Sequence, residues 1–165
     1  MRHMPLFLTA GLILCACDDD SVAPPTEAPA DATAFTLTPA GGTFAGTGPL
    51  AGVALTVPAG AVAADTALWM APPVSERPLP ASGRFVGPEV EFGPGEVALA
   101  EPATLTLPVD AARVDASGSD LRLVKVWRVG PDGWEIQAPA AEARDGQVQA
   151  TVEALTRFGA GVEVP

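Results

Sequence analysis

Ala103-Thr104-Leu105-Thr106-Leu107-Pro108 is the stretch on which the fold turns. Its alternation puts Leu105 and Leu107 on one face and Thr104 and Thr106 on the other, the period of a strand with a single buried side. The same period recurs upstream and downstream. Gly52-Val53-Ala54-Leu55-Thr56-Val57 groups Val53, Leu55 and Val57, and Gln147-Val148-Gln149-Ala150-Thr151-Val152 groups Val148, Ala150 and Val152. Beyond residue 34 no window holds a 3.6-residue apolar period long enough for a major helix. Ala111 to Ala116 allows one helical turn and no more.

Turn residues separate these runs at intervals that suit antiparallel pairing. Ala40-Gly41-Gly42 divides Phe35-Thr36-Leu37-Thr38 from Thr43-Phe44, and Pro58-Ala59-Gly60 closes the strand at Val57. The clearest hairpin runs from Leu121–Val129 through Gly130-Pro131-Asp132-Gly133 into Trp134-Glu135-Ile136-Gln137. Proline presets the turn φ, aspartate bonds its own backbone, and Gly133 tolerates positive φ. Asp145-Gly146 makes a second turn before Gln147. About eight or nine short strands follow from this reading. One sheet of that size would expose too much apolar face, so two packed sheets or a barrel are required. The expected fold is all-β, a single antiparallel β-sandwich domain over residues 34–165.

Composition removes several function classes. The chain has 9 basic and 20 acidic residues and no basic cluster, which disfavours nucleic acid and direct adhesion to anionic lipid. His3 is the one histidine, and Cys15 and Cys17 are the two cysteines. If the chain is cut before Cys17, no histidine and no cysteine pair remain. Histidine-based hydrolases, zinc sites and an internal disulfide are then excluded by inventory.

The N-terminal reading supplies that cut. Pro5 to Ala16 is a short apolar run behind Arg2, too short for a membrane-spanning helix and proportioned like a signal peptide. Met4 is an alternative start. Leu14-Cys15-Ala16-Cys17 resembles the bacterial lipobox, in which the cysteine receives a lipid and becomes the new N-terminus. The resemblance implies a signal peptide over 1–16, lipidation of Cys17, and a bacterial cell-envelope location on the extracytoplasmic side. Asp18 resembles an inner-membrane retention residue. The alternative, a buried N-terminal helix with two chance cysteines, fits poorly with the abrupt change to Asp18-Asp19-Asp20. Residues 17–33, acidic and rich in proline, read as a disordered tether.

Four phrases, in order and in spacing, resemble the ZU5 domain shared by ankyrins, zonula occludens protein and netrin receptors. They are Gly41-Gly42-Thr43-Phe44, then Leu55 to Val62 with Asp65-Thr66, then Phe92-Gly93-Pro94-Gly95, then Pro102 to Pro108. Together they cover residues 36–110. The resemblance implies a β-sandwich used for binding or scaffolding, without catalysis. Ankyrin-type domains bind spectrin and netrin-receptor ones pack on neighbouring domains, but the matched residues here are scaffold residues and imply neither partner.

Carboxylates are the remaining catalytic candidates. Glu89 and Glu91 are two apart in a strand-like run and share a face, at a separation close to that of glycosidase acid pairs. A solvated sheet face is the favoured account of them, ahead of a cation site or a sugar-binding edge and well ahead of hydrolysis. Asp65 reads as a loop-capping residue, with calcium coordination as its alternative. Trp127 and Trp134 flank the hairpin turn, where they serve packing or a ligand platform. The functional expectation is a membrane-anchored, monomeric binding or structural module without cofactor or metal, tethered to the bilayer through acylated Cys17. Its further partner would be an envelope protein or polymer. The alternative is a carboxylate-dependent enzyme or calcium-dependent carbohydrate-binding module using Glu89, Glu91 or Asp65.

Overall fold

The computed structural model describes residues 27–80, 83–137 and 143–164. The signal segment, Cys17 and the tether as far as Thr26 lie outside the described residues. Ten antiparallel strands form two sheets: β1 (Thr33–Leu37), β2 (Gly42–Ala45), β3 (Ala54–Val57), β4 (Thr66–Ala71), β5 (Gly83–Gly93), β6 (Val97–Pro108), β7 (Lys125–Gly130), β8 (Gly133–Ile136), β9 (Gln147–Leu155) and β10 (Arg157–Glu163). The six-stranded sheet runs β1-β4-β5-β10-β7-β8 and the four-stranded sheet β2-β3-β6-β9. An all-β sandwich is therefore the fold.

The alternating residues do what their period requires. Val53, Leu55, Val57, Leu105, Leu107, Val148, Ala150 and Val152 are all buried between the sheets. Phe92 and Phe158 meet edge-to-face at the centre, ring centroids 6.2 Å apart. The hairpin at Pro131-Asp132 forms with Val129 opposite Trp134 and Gly130 opposite Gly133. Ala111–Ala116 is one short helix, α1, capped by Asp110, whose carboxylate accepts from the backbone N–H of Ala112 and Arg113.

Three expectations are corrected. Among the described residues the strands number ten, and β5, β6 and β9 are long. Pro88 and Pro102 each sit where the pairing register shifts, so the chain bulges there and the strand continues. Leu121–Leu123 is a 3-10 turn capped by Asp120, and the strand begins only at Lys125. Finally, Gly41-Gly42 does not close a β1–β2 hairpin. It carries the chain from one sheet to the other, so β1 pairs with β4 and β2 with β3. Gly41 has φ 74°, and a Cβ there would lie 2.3 Å from the Val57 carbonyl oxygen, so only glycine turns this corner. Phe35 and Phe44 stack across the gap at 4.4 Å and close that side of the sandwich.

Candidate functional site

The outer face of the six-stranded sheet carries a second packed layer. Along β10, Phe158, Ala160 and Val162 enter the core, which turns Arg157, Gly159 and Gly161 outward. Along β5, Val86, Val90 and Phe92 enter the core, and Glu89 and Glu91 face out with Phe85 near them. The two glycines leave a bare strip that neighbours fill. A Cβ on Gly159 would come 2.5 Å from the Phe85 ring, and one on Gly161 would come 2.9 Å from Leu79 Cδ1 and 3.1 Å from Trp127 Cδ1. Trp134 meets Phe85 edge-on at 5.1 Å. Trp69 lies over Gly93, where a Cβ would sit 2.0 Å from the indole. Trp127 and Trp134 share this face as diagonal neighbours, since Trp127 pairs with Ile136 and Val129 with Trp134.

Arg157 organises the charge. It pairs with Glu91 in register, yet its Nε and Nη2 both donate to Glu89 Oε2, at 3.0 and 2.5 Å. The residue is only 7% exposed, so a partner is mandatory for its charge. The guanidinium carbon also sits 5.5 Å from the Trp134 ring centre, within cation–π range. Burial pushes the Glu91 carboxyl above its ordinary value, and the positive charge of Arg157 opposes that rise without cancelling it.

A proline-rich strap, Pro72 to Pro80, connects β4 towards β5 and lies on the same face. Leu79 is its one buried residue. Burying such a side chain is worth about 1.5–3 kcal/mol. The indole Nε1 of Trp134 donates to the Arg77 carbonyl at 2.8 Å. Trp69 and Trp127 are each 4% exposed, and their buried Nε1 groups meet no acceptor among the described residues.

Glu89 and Glu91 do share a face, as their spacing implies. The structure ties Glu89 to Arg157, a pairing that sequence spacing does not indicate. The outward position of Arg157 is legible from the apolar alternation that follows it, but its partner is not. Asp65 is exposed at the far end of β4, roughly 20 Å along the strand from Ala71, the residue paired with Glu91. In its loop the side-chain bond comes from the neighbour instead, with Thr66 Oγ1 donating to the Ala64 carbonyl at 3.1 Å. Among the described residues no three His, Cys, Asp or Glu side chains are grouped to hold a metal ion, and no helix is long and apolar enough to cross a membrane. Trp127 serves packing, whereas Trp134 stays half-exposed between Phe85, Arg157 and the strap.

No curated protein matches this chain. The ZU5 domain model matches residues 33–129, from β1 to the penultimate residue of β7, beyond the 36–110 span of the four phrases. Trp134 and Arg157 lie past that match, so the charged and aromatic face is completed by β8 and β10. With more than half of its length matched, the chain belongs to the ZU5 domain family of non-catalytic adaptor modules.

Proposed function

We propose that this protein is a lipid-anchored, extracytoplasmic module of a bacterial cell envelope that works by contact with an envelope protein or polymer. The observation that carries the reading is the state of the carboxylates. Glu89, the better placed of the candidate acids, is engaged by Arg157, and Asp65 lies far along the sheet. A carboxylate enzyme or a calcium-dependent carbohydrate site would need these acids converging on a ligand. What the face offers instead is aromatic surface and shaped backbone, which suit recognition.

The anchor part rests on Leu14-Cys15-Ala16-Cys17 and the acidic, proline-containing stretch after it. Two or three acyl chains on one cysteine hold a protein at a membrane durably, where a single chain does not. Intact-mass measurement on the membrane fraction tests it. The expected species begins at Cys17 and carries acyl mass, and Cys17→Ala releases the protein or blocks its processing. A soluble, unacylated chain that retains residues 1–16 contradicts the reading.

A further inference from the structure

We infer that β10 is the closing strand of this domain: until residues 157–163 enter between β5 and β7, the rest of the chain cannot hold the sandwich. The inference concerns how the fold is completed and stands independently of the anchor and contact readings.

The strand pairings carry it. β5 meets β4 only at Glu91, Phe92 and Gly93, so among the described residues its stretch from Gly83 to Val90 has β10 as its one strand neighbour. On the other side the β7–β8 hairpin joins the sheet through β10 alone, by Phe158–Arg128, Gly159–Trp127, Ala160–Val126 and Gly161–Lys125. Without β10 that hairpin is left to itself, and a two-stranded hairpin is marginal in water. The facing edges of β5 and β7 lose their backbone partners at the same time. Phe158, Ala160 and Val162 also leave the core, where each is fully buried and Phe158 meets Phe92 edge-on. A domain's stability is a small margin between large terms, and a loss on this scale exceeds it. The family-matched segment ends at Val129, so it contains β5 and nearly all of β7 but not the strand that joins them.

The slot fits this strand closely. A Cβ on Gly159 would come 2.5 Å from the Phe85 ring, and one on Gly161 would come 3.0 Å from the Arg84 carbonyl oxygen, which is backbone and cannot swing aside. Gly87 of β5 leaves room for Ala160, since an added Cβ there would sit 3.2 Å from the alanine Cβ. Arg157 reaches Glu89 from the same strand, so the ion pair forms only when β10 is in place. β9 hands the chain to β10 across Thr156, from the four-stranded sheet to the six-stranded one. Entry of β10 thus ties the two sheets together and completes the outer face in one event. In a chain exported before it folds, as the anchor reading requires, this keeps the domain unfolded until residues 157–163 have been delivered.

Native-state hydrogen exchange on the full chain, extracted in detergent and followed at rising sub-denaturing urea, tests the inference. The amides of β10 should exchange together with those of β5 and β7, in the slowest class and with the same dependence on urea, because each opens only when the whole domain does. Early exchange of β10, by a step that leaves β4, β5 and β6 protected, overturns it. Two full-length variants give a second reading. Gly161→Val should abolish the cooperative thermal transition and the β circular-dichroism spectrum, whereas Thr104→Val, at an exposed strand position, should keep both. A Gly161→Val chain with an unchanged transition, or one that frees β10 alone, contradicts the inference.

Discussion

Glu91 lies between Ala71 and Arg157 on the outer face, and burial holds its carboxyl above the ordinary range despite the nearby cation. The consequence for stability has a definite sign. Between the unfolded glutamate value, about 4.3, and the higher folded value, the native state binds more protons than the unfolded state. Stability from this group is thus complete below about pH 4 and falls as pH rises through the folded value. Glu91→Gln should therefore raise the thermal midpoint at pH 7 and bring no gain near pH 4, as differential scanning calorimetry at the two pH values can check. A gain at pH 4 that disappears at pH 7 would reverse the account. At this scale the shared face of Glu89 and Glu91 was legible from a spacing of two. Their relation to Arg157 was not, because it depends on a bulge at Pro88 and on pairing with a strand far along the chain.

Strands with clean alternation were legible because one face is buried and a register slip would expose it. This holds for β3, β6 and β9, and for the β7–β8 turn, where Pro131, Asp132 and Gly133 each have a local reason to be there. Leu105, fully buried, should cost about 2–5 kcal/mol on replacement by alanine, whereas Thr104→Ala on the exposed side should be nearly silent. Urea unfolding of the two variants measures the difference, and equal losses would place the core on the wrong face. The elements that resisted reading share a different feature. Gly41 marks a corner between sheets in the same letters that mark a hairpin, and the register shift before Ala103 in β6 leaves no local signature of its own. Local propensity names a turn, and only tertiary pairing says where the chain goes next.

On the scale of the whole molecule, the sandwich core and the outer aromatic layer differ in character. The core is apolar and sets the shape. The outer layer holds a partly buried ion pair, a glycine strip filled by Phe85, Leu79 and Trp127, and a strap. Residues 33–129 supply the family scaffold, and β8 and β10 add Trp134 and Arg157 to it. We propose that this domain acts by contact at a membrane. In-cell crosslinking of the anchored protein, run beside the Cys17→Ala form and read by mass spectrometry, tests that claim most directly. The expected result is a reproducible envelope partner that depends on the folded domain and is lost or weakened when the anchor is removed. Turnover of an envelope glycan by the purified protein, abolished by Glu89→Gln or Glu91→Gln with the fold intact, would contradict it.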